Sequence, residues 1–185
     1  QYDNNVGSPE QVGALCAEIA TLPSSPLVFI DQEGGLVRRL KDTRGFAPLP
    51  SAKDFNLLSL QEKRTILAAS LHELRKLGIR YDFAPVIDVD YNPDNPSIGR
   101  IRRSFSADIG EVEANALLMS EVAREAGVGL CLKHYPGIGG ADVGTAIAVT
   151  SESSGAPSAT PAETVALRHA AYSPTDDLVV LTDDD

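Results

Sequence analysis

Apolar residues recur with the period of an α-helix in three stretches of the first 130 residues. Each stretch follows a residue that caps helices and that has Gln or Glu three positions after it, namely Ser8, Ser59 and Asp108. Glycine, which commonly ends helices, follows the second and third stretches at Gly78 and Gly127. The pattern therefore predicts three amphipathic helices of several turns each.

Short apolar runs with β-branched residues alternate with these helices. They predict buried strands near residues 27–31, 80–84 and 128–133, and a weaker helix and strand follow at 161–171 and 178–182. Because a helix lies between consecutive strands, we expect right-handed βαβ units whose strands are parallel and adjacent. The predicted fold class is α/β, with about four β/α units.

Charged residues repeatedly stand where a predicted strand ends. A (β/α)8 barrel builds its active site at these positions, and a doubly wound open sheet binds its ligand at the same edge, so their placement alone leaves both folds open. The glycine-rich motifs GxGxxG and GxxxxGK[ST] are absent, which disfavours a nucleotide site. The charged residues are Asp31 after the first strand, Asp82 and Asp88 in or after the second, Lys133 and His134 after the third, and Asp183 after the fourth.

Composition narrows the function classes. The 185 residues are 43% apolar and 23% charged, as in soluble globular domains, and no apolar run approaches the roughly 18 residues of a membrane span. A net charge of −10 argues against a nucleic-acid partner. Most of this charge lies in residues 138–185, which hold eight acidic residues and one arginine.

Two further features concern the compartment. Cys16 and Cys131 match no metal-binding spacing and lie in apolar surroundings, so we interpret them as buried thiols, with a disulfide as the alternative. Residues 1–11 lack the basic and apolar regions of a signal peptide. Since a signal is removed on export, both a cytoplasmic and an exported protein remain open.

Four motifs follow one another in the order and approximate spacing of glycoside hydrolase family 3. They are "DQEGGLVRRL" (31–40), "YDFAPVIDV" (81–89), "NPSIGRIRRSF" (95–105) and "LKHYPGIG" (132–139). Over roughly residues 8–140 the chain resembles the β-N-acetylhexosaminidase branch of that family. The resemblance implies a TIM-type (β/α)8 barrel and retaining hydrolysis of terminal β-linked N-acetylglucosamine through a covalent glycosyl-enzyme, with no cofactor or metal.

A barrel of eight units needs about 250 residues, so we expect an incomplete one. Residues 1–150 are interpreted as a partial barrel, and residues 151–185 as a tail with a possible linker and the last strand. The segment "LVVLTDDD" resembles the family's nucleophile strand, with Asp183 in the position of the nucleophile. The alternative is that the tail's acidic residues are merely solvated.

The resemblance also implies the sugar-binding residues: Asp31, Arg103, Lys133 and His134 would bind hydroxyls of the non-reducing sugar. Their charged groups suit a pyranose, whose hydroxyls both donate and accept hydrogen bonds. Other interpretations of the same residues stay open. Asp31 could cap the following loop, Arg103 could form a surface ion pair while Arg100 or Arg102 enters the site, and His134 could be structural. We expect Glu33 to bind loop amides, and His72 and His169 to be exposed on helices.

The loop after Lys133 departs from the family pattern. In the hexosaminidase branch it continues to an Asp–His pair that serves as acid and base, but this chain has Gly144 and Ala146 there, and Ile138 replaces the inner histidine. Asp142 lies nearby, but a solvated carboxylate is ionised at neutral pH and donates protons poorly. Two hypotheses follow: a glycosidase acting on peptidoglycan- or chitin-derived sugars, and a catalytically inactive carbohydrate-binding or truncated member of the family.

Overall fold

The computed structural model describes residues 6–140. Their helices are α1 (Pro9–Ala20), α2 (Ala52–Asn56), α3 (Leu60–Leu77) and α4 (Ile109–Ala126), with a 3₁₀ turn at Asp42–Arg44. Their strands are β1 (Phe29–Ile30), β2 (Gln32–Gly34), β3 (Val37–Arg38), β4 (Tyr81–Asp82) and β5 (Gly129–Leu130). The α/β class predicted from the sequence is confirmed.

The three long helices begin at the predicted caps. The Ser8 hydroxyl accepts a hydrogen bond from the backbone N–H of Gln11, and the Asp108 carboxylate accepts from the first turn of α4. Ser59 forms a complete capping box with Glu62. Each interaction satisfies backbone donors that a helix leaves unpaired at its N-terminus, so these local signals fix where the helices start.

Strands β1, β4 and β5 form one parallel sheet in the order β1-β4-β5. The predicted parallel and adjacent arrangement is confirmed, but each regular strand is only two residues long. Pro85 has no N–H to continue the ladder after β4, and pairing resumes as one bridge between Val86 and Lys133. This bridge brings residues 86–88 alongside the segment that carries Lys133 and His134.

Strands β2 and β3 form an antiparallel hairpin directly after β1. The hairpin turns at Gly34 and Gly35, with φ angles of 107° and 56°. A side chain at Gly34 would come within 2.1 Å of the Pro50 carbonyl oxygen, so only glycine fits there. The hairpin places the end of β1 and the side chain of Glu33 at the same edge of the sheet.

The hydrophobic core lies between the sheet and helices α1, α3 and α4. Val28 and Ile30 of the first strand segment pack against it, whereas Phe29 is 39% exposed. The prediction of a buried first strand is therefore wrong. In the described part of the chain β1 is an edge strand, and Phe29 is only partly covered, by stacking on Tyr81 and Phe83 with ring centroids 4.7 and 5.2 Å away.

Neither Cys16 nor Cys131 forms a disulfide. Cys16 is buried as predicted, but Cys131 is only half-buried, because it follows β5 on the edge where the sheet opens. His72 is exposed, as predicted. Within residues 6–140 no helix combines the length and the hydrophobicity that crossing a membrane requires. The predicted elements at 161–171 and 178–182, together with His169, lie outside the described residues.

Candidate active site

Charged side chains from three separate segments meet at the carboxyl end of the parallel sheet. Lys133, which forms the bridge to Val86, places its Nζ 2.8 Å from Oδ1 of Asp31 and 2.6 Å from Oε1 of Glu33. Asp31 follows β1 and Glu33 lies in β2, so two of these residues come from the first strand and its hairpin. Lys133 therefore contacts two residues that lie about 100 positions before it in the sequence.

Arg103 enters the same cluster from the loop between β4 and α4. Its Nε and Nη2 atoms donate to the two carboxylate oxygens of Glu33 at 2.7 and 2.8 Å, a bidentate pair. Its Nη2 atom also lies 3.4 Å from Nε2 of His134. The four predicted sugar-binding residues, Asp31, Arg103, Lys133 and His134, therefore form one contact network.

This geometry decides between the alternatives that the sequence left open for the arginines. Arg102 forms an exposed ion pair with Asp54, whereas the Arg103 side chain is 14% exposed and points into the cluster. Arg103, not Arg102, is the arginine of the network. Arg100 is exposed.

Two members of the cluster were missed or misread from the sequence. We expected Glu33 to accept hydrogen bonds from loop amides. Instead it forms ion pairs with Arg103 and Lys133, which are 70 and 100 positions away in sequence. Arg39, after β3, brings Nη2 to 3.3 Å from Oδ2 of Asp31. Arg39 lies eight positions after Asp31 in the motif at 31–40. A hairpin predicted at Gly34-Gly35 would have indicated that these two side chains lie close together.

The comparison with protein families decides the assignment. The sequence model described as "Glycosyl hydrolase family 3 N terminal domain" matches residues 4–156. The chain belongs to glycosyl hydrolase family 3. The resemblance inferred from the four motifs is thereby confirmed.

Named relatives in this family are β-hexosaminidases. Beta-hexosaminidase LpqI of Mycobacterium tuberculosis is 41% identical over 129 residues, which are 69% of this chain and 32% of that protein. The Beta-hexosaminidase of Methylococcus capsulatus is 35% identical over 146 residues, 75% of this chain and 41% of that protein. The chain thus spans about a third to two fifths of the length of these relatives.

Solved structures of family 3 enzymes share the fold. A beta-N-acetylhexosaminidase from Beutenbergia cavernae superposes with a TM-score of 0.65 at 32% identity, over 74% of this chain and 43% of the other. NagZ from Neisseria gonorrhoeae superposes with a TM-score of 0.66 at 28% identity, over 76% of this chain and 42% of the other. NagZ has also been solved in complex with N-trifluoroacetyl-D-glucosamine.

Exposure divides the cluster into two layers. The side chains of Asp31, His134, Lys133 and Arg103 are 32, 19, 16 and 14% exposed, so each can reach a ligand. Those of Glu33 and Asp88 are 5 and 0% exposed and lie behind them. The accessible side chains can therefore bind a polar molecule. The buried carboxylates behind them hold these side chains in place.

Electrostatics keep Asp31 and Arg103 of the accessible layer charged. Burial alone would raise the pKa of Asp31, but the hydrogen bond from Lys133 and the charges of Lys133 and Arg39 outweigh it, so the pKa lies below its ordinary value. Burial would lower the pKa of Arg103, but the hydrogen bonds and charge of Glu33 raise it. Asp31 is therefore an anion and Arg103 a cation at neutral pH.

Asp82 differs from the other carboxyl groups of the site. Its side chain is buried and accepts a hydrogen bond from the backbone N–H of Gln32 at 2.9 Å. Burial raises the pKa of Asp82 to about 7, and the charges of Asp31 and Glu33 contribute in the same direction, against the hydrogen bond and Lys133. Asp82 therefore changes charge near neutrality.

The proposed nucleophile and the acid/base positions cannot be placed on this geometry. Asp183, Gly144 and Ala146 lie outside the described residues, which end at 140. Among the described residues no group of three or more His, Cys, Asp or Glu side chains is arranged to hold a metal ion.

Proposed function

We propose that the cluster binds a terminal β-linked N-acetylglucosamine in the manner of a family 3 β-N-acetylhexosaminidase. The observation that carries this proposal is the convergence of Asp31, Arg103, Lys133 and His134 at the carboxyl end of one parallel sheet. We further propose that β1, β4 and β5 belong to a TIM-type (β/α)8 barrel, to which residues 1–150 contribute in part. The TM-scores of 0.65 and 0.66 to family 3 enzymes support that architecture.

The chemistry of the cluster suits a sugar. Asp31 accepts hydrogen bonds from hydroxyls, Lys133 and Arg103 donate them, and the ring nitrogen Nε2 of His134 faces the same space. Each hydrogen bond to a charged group contributes about 1.5–3 kcal/mol when it forms. The ion pairs with Glu33 hold Lys133 and Arg103 in place before the sugar arrives, which lowers the ordering cost of binding.

Hydrolysis would need two further groups. Retaining glycosidases use a nucleophile that forms a covalent glycosyl-enzyme and an acid/base that protonates the leaving oxygen and then activates water. We propose Asp183 as the nucleophile, on a last strand within the tail at 151–185. This assignment rests on the motif "TDD" alone.

A second candidate function is a sugar-binding member of the family without catalysis. It is favoured by the sequence at the acid/base positions, where Gly144 and Ala146 replace the Asp–His pair of the hexosaminidase branch. General acid–base catalysis contributes about 10²–10⁴-fold to such reactions. Its loss should matter most for a natural aglycone, since a sugar alkoxide is a poor leaving group.

Calorimetric titration with N-acetylglucosamine tests the binding proposal, with the C4 epimer N-acetylgalactosamine as the control sugar. We expect saturable binding of N-acetylglucosamine and weaker binding of the epimer, because charged hydrogen bonds are lost when one hydroxyl changes direction. No binding of either sugar would contradict the proposal.

Turnover separates the two candidate functions. We expect no measurable cleavage of natural N-acetylglucosaminides and at most a trace on p-nitrophenyl N-acetyl-β-glucosaminide, whose leaving group needs little proton assistance. Asp183→Ala should abolish that trace while leaving sugar binding intact. Efficient cleavage of a natural disaccharide would exclude the inactive candidate and show that another residue supplies the proton.

A further inference from the structure

Asp88 is a fully buried carboxylate that receives four hydrogen bonds from the segment after β5. Its Oδ2 lies 2.5 Å from Nδ1 of His134 and 3.3 Å from the backbone N of the same residue. Its Oδ1 accepts from the backbone N–H groups of Ile138 and Gly139 at 2.5 and 3.1 Å. With 0% exposure of the side chain, these protein groups take the place of water around the carboxylate.

The contacts on the two sides of the His134 ring fix its tautomer. A carboxylate oxygen only accepts hydrogen bonds, so Nδ1 must carry the proton that points to Asp88. On the other side Nε2 lies 3.4 Å from Nη2 of Arg103, and a guanidinium only donates. The Nδ1–H tautomer, with an unprotonated Nε2, is the state that satisfies both neighbours.

The same carboxylate anchors the loop that leads away from the site. The carbonyl of Ile138 accepts from Nδ2 of Asn95 at 2.6 Å, so the backbone of Ile138 is held on both sides. A side chain at Gly139 would come within 2.1 Å of the Val89 carbonyl oxygen, which shows how closely this turn lies against residues 88–89. Ser104, the residue after Arg103, donates its hydroxyl to the backbone carbonyl of Asp88 at 2.6 Å. This bond connects Asp88 to the loop that carries Arg103.

We propose that Asp88 is the positioning residue of the site: it fixes His134 as the Nδ1–H tautomer, so that the Nε2 lone pair faces Arg103, where a sugar hydroxyl can replace the guanidinium as its donor, and it anchors the turn at 137–139. The sugar part of this inference rests on the proposed function. The tautomer part rests on the contacts of Asp88 and Arg103 alone.

Asp88→Asn tests the role with a side chain of the same shape. One oxygen becomes an NH₂ group, and the remaining oxygen should stay with Ile138 and Gly139, where two fixed backbone donors face it. The NH₂ group then faces Nδ1 of His134 and can only donate to it. We expect the ring to change to the Nε2–H tautomer, which turns an N–H toward Arg103.

Two-dimensional ¹⁵N–¹H spectra of the imidazole rings read the tautomer directly, and the missing signal in His134→Gln assigns it. We expect Nδ1–H in the wild type, Nε2–H in Asp88→Asn, and about tenfold weaker binding of N-acetylglucosamine in that variant. Asp94→Asn is the matched control, since Asp94 is an exposed carboxylate of the neighbouring loop. It should change neither the tautomer nor the affinity.

Three outcomes decide the inference. An Nε2–H ring in the wild type would overturn it, and this measurement stands even if Asp88→Asn does not fold. An unchanged tautomer and affinity in a folded Asp88→Asn protein would overturn it as well. If the tautomer changes as expected while the wild type binds no sugar, the positioning of His134 is confirmed and the proposed function fails instead.

Discussion

Arg102 and Arg103 are neighbours in the chain, yet they belong to opposite regions of the molecule. Arg102 forms its ion pair with Asp54 at the surface, where the two side chains are 47 and 50% exposed. Arg103 forms its pair with Glu33 inside the site, where the two side chains are 14 and 5% exposed. A guanidinium and a carboxylate meet in both places, but the second pair is far more buried.

This difference determines what each pair does. A surface pair contributes about 0–1 kcal/mol, because water screens it and two long side chains lose freedom. A buried pair is expensive to desolvate, but removing one partner leaves a buried charge uncompensated and costs about 3–5 kcal/mol. A buried pair is therefore a poor source of stability and a good way to hold functional groups at fixed positions.

The largest effect should come from breaking the buried network. We expect Glu33→Gln to lower the free energy of unfolding by about 3 kcal/mol, since Arg103 and Lys133 lose their shared carboxylate. Asp54→Asn makes the same chemical change at the surface, where water screens the pair, and should cost clearly less. Urea unfolding followed by circular dichroism measures both. Equal losses would show that burial does not change the cost of removing one partner of these ion pairs.

Sugar binding should separate the two arginines next. We expect Arg103→Ala to weaken binding of N-acetylglucosamine by roughly 10- to 100-fold, the equivalent of one charged hydrogen bond of about 1.5–3 kcal/mol. Arg103→Lys should restore little, because lysine lacks the planar fork that matches Glu33.

Arg102→Ala is the control and should leave the affinity unchanged. Calorimetric titration of the three variants measures the difference. A loss of affinity in Arg102→Ala as large as that in Arg103→Ala would contradict the assignment of Arg103 alone to the sugar site.

Asp82 tests the buried region through pH. Burial raises its pKa to about 7, so the folded state binds this proton more tightly than the unfolded chain does. The resulting stability is present below the unfolded pKa of about 4 and is lost as pH rises through about 7. We expect Asp82→Asn, which has no such proton, to unfold at nearly the same free energy as the wild type at pH 4.

At pH 8 Asp82→Asn should be the more stable of the two, because only the wild type then holds a buried, charged carboxylate at this position. Denaturant unfolding at a series of pH values, with Asp94→Asn as an exposed control, measures the difference between variant and wild type. A difference that stays constant from pH 4 to pH 8 would mean that Asp82 does not titrate in this range.

The sequence predicted most where the determinant was local. Ser8, Ser59 and Asp108 cap helices because their side chains reach backbone groups two or three residues away. The order of strands followed from helices that alternate with apolar runs. The strand lengths did not, because Pro85 ends the ladder after β4 and one bridge at Val86 replaces it.

The site was predicted in part for the same reason. Its accessible residues lie in recognisable motifs, but the buried carboxylates behind them do not reveal their partners. Glu33 meets Arg103 across 70 positions, and Asp88 meets His134 across 46. Such contacts depend on how the sheet and its loops come together, and no local pattern distinguishes the arginine that faces Glu33 from its neighbour.

The smallest effect concerns the backbone turn at Arg102, which directs the two neighbouring side chains apart. Arg102 has a φ angle of 61°, in the left-handed region that non-glycine residues occupy at a cost of about 1–2 kcal/mol. Glycine removes this cost but loses about 0.5–1 kcal/mol through its greater freedom in the unfolded chain. Both Arg102→Gly and Arg102→Ala remove the surface pair with Asp54, so their difference isolates the backbone. We expect Arg102→Gly to be more stable than Arg102→Ala by about 0.5–1 kcal/mol in denaturant unfolding, with sugar affinity equal in both. A more stable alanine variant would show that the turn is not strained, and that another feature directs Arg102 and Arg103 to different regions.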